Sequence, residues 1–395
     1  MLTAVALCAV GAEKIVSNEL RKLKLSVSES GFGRVRFKTD IEGLYRCLIG
    51  LRAVDRVLLE IAWFKATDFD ALFEGVRQQP FEEYIPPGMG LRVAKVRTNR
   101  SVLQAETSVQ AVVHKAAADR LCAKRRINRL PENGDEAELR VYIEKDQASV
   151  LLDLSGEPLF KRGYRIKGGI APLRETTAAA IILHSGWKRK FPLYDPFCGS
   201  GTIAIEAALY AWDIAPGLCR GFAKGFALDR LLLGDSKTAA KVREECLEKA
   251  DFSRLVRIEA SDSDAASVAA AKVNLERAIA MAEKKGPQNP PLFKVLPMEK
   301  AEIPKEMRNT IEGQDEPGFI ITNPPYGRRL SDTETAEKTY TQMRTLSSRF
   351  PLWKLAVITD HSGFESFFGK KADSCREITN GAIRSYLYQY EKLEE

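Results

Sequence analysis

Leu193-Tyr194-Asp195-Pro196-Phe197-Cys198-Gly199-Ser200-Gly201-Thr202-Ile203 decides the fold. A short apolar run suited to a buried strand ends in an acid and a proline, two glycines follow, and a helix-like segment opens near Ile203. Glycines at 199 and 201 let the backbone turn sharply and bring a ligand close to the main chain. With Ala204 they fit the G-x-G-x-x-A variant of the dinucleotide fingerprint. A nicotinamide enzyme, however, needs an acid about 20 positions later for the ribose. Here the next strand ending in acid finishes at Asp262, 61 residues beyond Gly201. The dinucleotide reading is therefore set aside.

Working outward, strand patterns recur at 193–196, 257–261, 319–322 and 354–359, with helix-like segments between them. That alternation predicts a doubly wound, mostly parallel sheet. Ligands of such sheets sit at the carboxyl ends of the strands, beside the switch in strand order. Asp262-Ser263-Asp264 ends the second strand. Asp262 is the favoured partner for a ribose diol, because Asp264 also suits the N-cap of the helix predicted over 265–280. Cys198 reads as a small loop residue, since no neighbour in sequence would activate its thiol.

The strand at 319–322 runs directly into Asn323-Pro324-Pro325-Tyr326-Gly327. An exocyclic amine on a base is a poor nucleophile because its lone pair is delocalised into the ring. The Asn323 side-chain oxygen and the Pro324 carbonyl can accept its two N–H bonds and draw the nitrogen toward tetrahedral geometry. Successive prolines stiffen the loop, so positioning costs little entropy at the moment of reaction. Tyr326 offers a flat face to a base taken out of its stack. No strong general base is needed, and no histidine neighbours the loop in sequence. A plain rigid turn is the alternative reading of the tetrapeptide taken alone.

Seven scattered cysteines without a C-x-x-C pair, and only His114, His184 and His361, supply no zinc ligand set and suit a reduced, cytoplasmic chain. No metal is expected. No apolar stretch approaches the roughly 20 residues of a membrane span, and residues 2–10 read as a first strand rather than a signal peptide. Net charge is +7, unevenly spread. Residues 85–130 carry ten Lys/Arg against two carboxylates, and residues 160–190 carry eight against one. Clustered positive charge on an otherwise acidic chain is the footprint of a polyanion.

The first 155 or so residues read as two small α+β units, with strands at 2–10, 34–37, 57–64, 91–97, 137–144 and 148–154. Helices are predicted over 13–23, 41–51, 68–78 and 106–124, and Pro86-Pro87-Gly88 is a breaker. At the other end, 375–379 and 383–390 form a hairpin pattern around Asn380-Gly381, and 286–291 reads as a surface loop.

From about 160 to 390 the chain resembles the bacterial large-subunit ribosomal RNA guanine-N2 methyltransferases. The residues that carry the likeness are Lys161-Arg162-Gly163-Tyr164-Arg165, Ala171-Pro172-Leu173-Arg174-Glu175, Asp195 to Thr202, Ala215-Pro216-Gly217-Leu218, Asp262-Ser263-Asp264 and Asn323 to Gly327. The resemblance implies an α/β class I, Rossmann-like methyltransferase domain with an antiparallel edge hairpin. It also implies an N-terminal ferredoxin-like and THUMP RNA-binding region. The expected division is 1–60, 61–158 and 159–395. The implied cofactor is S-adenosylmethionine, held by Asp195, Phe197, Cys198, Gly199, Ser200, Gly201, Thr202, Asp262, Asp264 and Asn323, with Asp195 orienting the loop or meeting the methionine ammonium. Asn323, Pro324, Pro325 and Tyr326 are the expected catalytic residues. The expected partner is 23S ribosomal RNA, gripped by Lys95, Arg97, Arg100, Lys124, Arg125, Arg126, Arg162 and Arg165, with no membrane. One departure stands out: the family's usual acid after its third strand is replaced here by Pro297-Met298-Glu299. Adenine-N6 methylation of DNA shares the tetrapeptide, as does methylation of protein glutamine. A catalytically idle RNA-binding assembly factor is the reading from another class.

Overall fold

The computed structural model describes residues 1–166, 173–220, 225–304, 307, 310–311, 314–315, 317–326 and 330–393. The N-terminal part runs β1 (Leu2–Cys8), α1 (Glu13–Lys22), β2 (Ser26–Gly31), β3 (Arg34–Thr39), α2 (Ile41–Gly50), β4 (Val54–Lys65), α3 (Phe69–Arg77), β5 (Gly90–Asn99), α4 (Glu106–Arg125), β6 (Glu136–Glu144) and β7 (Gln147–Asp153). Its strands form one sheet in the order β2-β3-β1-β4-β7-β6-β5, antiparallel except where β5 lies parallel to β6. Alternation sets the faces: in β3, Val35 and Phe37 are buried while Arg34, Arg36 and Lys38 point the other way.

Two features of this half differ from the sequence reading. The expected division at residue 60 falls inside β4, which pairs with β1 through Leu59 and Ala4 and with β7 through Leu59 and Leu152. The two N-terminal units therefore share one sheet. β2 was not foreseen, because Ser26-Val27-Ser28-Glu29-Ser30-Gly31 is an exposed edge strand with one apolar residue. Only its hydrogen bonds to β3 make it a strand, and pairing of that kind leaves no periodic signal.

The second half contains α5 (Glu175–His184), β8 (Leu193–Asp195), α6 (Thr202–Ala211), α7 (Ser236–Lys249), β9 (Ile258–Asp262), α8 (Ala265–Ala280), β10 (Leu292–Val295), β11 (Thr310–Ile311), β12 (Gln314–Asp315), β13 (Phe319–Thr322), α9 (Leu330–Gln342), α10 (Leu346–Arg349), β14 (Lys354–Thr359), α11 (Phe364–Phe368), β15 (Ser374–Asn380) and β16 (Ile383–Tyr390). The main sheet has the order β10-β9-β8-β13-β14-β16-β15. The first five strands are parallel, and β16 and β15 close the edge as an antiparallel hairpin. Strand order reverses between β8 and β13, which is where a crevice opens in a doubly wound sheet. Aspartate side chains cap several of the helices, Asp235 accepting from Lys237 N–H at the start of α7 and Asp264 from Ala266 and Ser267 N–H at α8.

One hydrophobic core runs without a break from the N-terminal sheet through α1 and α2 into α5, α6 and α8. A second lies on the α9–α11 side of the main sheet, where the Tyr194 and Phe350 rings stack 5.4 Å apart. Among the described residues no helix is long and apolar enough to cross a membrane.

Candidate active site

The carboxyl ends of β8, β9 and β13 converge on a cleft of about 750 Å³. Asp195, Phe197, Cys198, Gly199, Ser200 and Thr202 line it from the first loop, Asp262 from the second, and Asn323 to Tyr326 from the third. Distant stretches of chain therefore face one space. Pro297, Met298 and Glu299 close another side, so the segment that departs from the family pattern lies where the departure matters.

The two glycines have different duties. Gly199, at φ +51°, donates its N–H to Asp262 Oδ2 at 2.9 Å, and a Cβ there would meet nothing within 4 Å. It lines the cleft. Gly201, at φ +84°, is not part of the cleft wall; a Cβ there would come within 2.9 Å of Ala271 on α8. It lets α6 and α8 pack at the end of the loop expected to hold the cofactor. Asp264 is likewise spent on capping α8 and stands outside the cleft lining. Asp262 keeps lone pairs for a diol although its oxygens already accept from Gly199 and Asp264 N–H. Burial pushes the Cys198 thiol far up, so it is no nucleophile.

Asp195 is buried, and its Oδ1 accepts from Thr322 Oγ1 at 2.7 Å and from Phe197 N–H at 3.1 Å. One carboxyl thus ties the glycine loop to the strand that carries Asn323. Burial pushes its pKa up to about 7; the two hydrogen bonds oppose the shift and Asp262 adds to it. An ordinary aspartate titrates near about 3.9. The folded chain therefore retains a proton here that the unfolded chain releases, and stability falls as pH rises from about 4 to about 7. Asp195→Asn, which keeps the acceptor oxygen, should remove that dependence. Urea denaturation at pH 5 and pH 8 is expected to show wild type losing stability relative to the variant at the higher pH, and parallel behaviour of the two proteins would contradict the assignment.

Asn323 Oδ1 is buried and has no hydrogen-bond partner among the described residues. A buried acceptor left open at a cleft wall is costly unless something external occupies it. The loop behind it is braced: Tyr340 of α9 donates to the Pro325 carbonyl at 3.1 Å and shares a 2.8 Å hydrogen bond with Thr359. His361 packs edge-on against Tyr340, with ring centroids 5.8 Å apart, so a histidine does stand behind the loop although none neighbours it in sequence. Neither Tyr340 nor Asn274, which donates to the Ser200 carbonyl at 3.0 Å, was foreseen. Each acts across the fold on a backbone carbonyl, and no spacing signals that.

The cationic residues divide sharply. Lys124 and Arg126 are exposed at the end of α4, and Arg97 and Arg100 are exposed near its start, with Arg97 paired to Glu106 at 2.7 Å. A 20-residue helix separates the two groups by roughly 30 Å. Lys95 is half-buried on β5. Arg125 turns inward and donates to the carbonyls of Ile85 and Pro86 at 2.7 and 3.1 Å. Arg162 is fully buried, donating to the carbonyls of Arg52 and Leu159 and meeting Glu206 at 3.4 Å. Arg165 pairs with Glu175 at 2.9 Å, its side chain 17% exposed. Arg162 and Arg165 are thus corrections, since their charges pair with carboxylates inside the protein; Arg125 is half-buried against backbone carbonyls. Ala171, Pro172 and Gly327, part of the expected motifs, lie outside the described residues.

A parallel sheet with an antiparallel hairpin at one edge, and a cleft at its switch point between a glycine loop and an Asn-Pro-Pro-Tyr loop, define a class I methyltransferase fold. The chain belongs to the RMKL-like methyltransferase family, whose domain matches residues 162–389, and an RlmL ferredoxin-like domain matches residues 3–58. YpsC of Bacillus subtilis strain 168, whose name makes it a candidate RNA methyltransferase, is 34% identical over 98% of this chain and 95% of its own. Ribosomal RNA large subunit methyltransferase K/L of Syntrophotalea carbinolica is 32% identical over 98% of this chain, which spans 53% of that longer protein. SMU.472, a candidate methyltransferase crystallised with SAH, superposes with a TM-score of 0.84 at 35% identity, covering 99% of this chain and 98% of that one.

Proposed function

We propose that the chain is an S-adenosylmethionine-dependent methyltransferase acting on the exocyclic amino group of a base, guanine N2 in 23S ribosomal RNA. The observation that carries this reading is the open, buried Oδ1 of Asn323 beside the rigid prolines, in the same cleft as Gly199 and Asp262. S-adenosylmethionine would supply the methyl group, with Asp262 toward its ribose and Asp195 toward its ammonium. Asn323 Oδ1 and the Pro324 carbonyl would hold the two amine hydrogens, while Tyr326 supports the flipped ring. The SAH in SMU.472 and the names of the K/L relatives support the cofactor and the substrate class. Labelled methyl transfer to ribosomal RNA from a strain lacking the gene, followed by mapping of the modified base, tests the reading. Label in DNA alone would overturn it, and label on adenine would reassign the base.

The N-terminal half would hold the RNA by phosphate and shape, as a THUMP-like domain does. Lys124 and Arg126 are its exposed cations at the end of α4. Replacing each with glutamine is expected to weaken RNA binding and to flatten its salt dependence by about 0.7 to 0.9 per lost phosphate contact. An unchanged slope would make them an ordinary solvated surface.

A further inference from the structure

We infer that Arg165 is a positioning residue for the cofactor loop, holding Ser200 and Thr202 in place without itself reaching the ligand. This rests on the reading of the cleft as the S-adenosylmethionine site. The guanidinium is placed between α5 and the glycine loop. Its Nε donates to Glu175 Oε1 at 2.9 Å, its Nη2 to the Leu173 carbonyl at 3.0 Å and Thr202 Oγ1 at 2.9 Å, and its Nη1 to Ser200 Oγ at 3.3 Å. Leu173, Ser200 and Thr202 line the cleft; Arg165 does not.

Ser200 stands between two glycines at positive φ, where the backbone has the most freedom to lose on binding. Asn274 fixes its carbonyl and Arg165 its hydroxyl, so the loop is ordered before any ligand arrives. A planar guanidinium can serve all four acceptors at once. An ammonium on a flexible stem cannot, though it can still pair with Glu175.

The test is Arg165→Lys, which keeps the charge buried beside Glu175 and should fold. Titration of S-adenosylhomocysteine into the full chain by calorimetry is expected to show binding weakened by about tenfold or more. KM for S-adenosylmethionine should rise in parallel, with saturated kcat changed by less than about twofold, because Asn323 is untouched. The salt slope of RNA binding should match wild type. In a Ser200→Ala, Thr202→Val background the same lysine should cost far less, since its targets are gone. Wild-type affinity in Arg165→Lys, full additivity in the combined variant, or a fall in kcat with KM unchanged would each overturn the assignment. Failure of wild type itself to bind S-adenosylhomocysteine would instead remove the cofactor reading beneath it.

Discussion

Asn323→Ala is expected to lower methyl transfer by about 10²- to 10³-fold, the cost of removing one polar group that contacts the reacting centre. RNA affinity should change little, because Asn323 carries no charge and the exposed cations Lys124 and Arg126 lie outside the cleft. The variant should also fold at least as well as wild type. Oδ1 has no partner among the described residues, so its removal deletes an unsatisfied buried acceptor instead of breaking a hydrogen bond. Loss of activity combined with undiminished stability is what sets a substrate-facing group apart from a structural one. Chemical denaturation and methyl transfer on the same preparation decide the matter. If the variant fully restored a strain lacking the gene, the chain would be an assembly factor that does not depend on its own chemistry.

The largest stability effect is expected at Glu206. This carboxylate on α6 meets buried Arg162 at 3.4 Å and accepts from the Tyr164 hydroxyl at 3.1 Å. Burial pushes the Glu206 carboxyl up from its ordinary range, with Arg162 opposing. Burial also works against the Arg162 charge, but Glu206 and then Glu175 outweigh it and hold the guanidinium firmly protonated. Replacing such a pair by apolar residues can be nearly neutral, whereas removing one partner strands a charge at a cost of about 3 to 5 kcal/mol. Glu206→Ala should therefore shift the urea midpoint strongly downward. A change under about 0.5 kcal/mol, within the usual range of surface substitutions, would show that Arg162 finds another partner or water. RNA binding by the residual folded protein should keep its salt slope, in contrast to Lys124 and Arg126.

Much of this was legible in the sequence because it is local. The loops at Asp195 to Thr202 and Asn323 to Tyr326 follow short apolar strands directly, and their distinctive residues sit side by side. The fold class followed from strand and helix alternation, and the Asn380-Gly381 hairpin from its turn residues. What could not be read was set by contacts across long separations. Arg162 and Arg165 looked like surface charge beside Lys161, but their partners Glu206 and Thr202 lie in α6, some 40 residues away. The division at residue 60 did not anticipate that one long strand could serve two units, β4 bonding to β1 along one edge and to β7 along the other. Gly201 matched a ligand-binding motif, yet its neighbour is Ala271 on another helix.

The two arginines at the domain junction limit how freely the halves can be exchanged. Arg52, just past α2, donates to the carbonyls of Leu209 and Ile214 at the end of α6, and Arg162 donates to the carbonyl of Arg52 at 2.6 Å. Each half closes polar groups that the other leaves open. A chimera that grafts a foreign head onto this methyltransferase would need an arginine after its second helix, with the same backbone turn, or it would strand buried carbonyls at the graft. Head and enzyme are fitted to each other at these contacts, and attempts to retarget the enzyme by exchanging its head should begin at this junction.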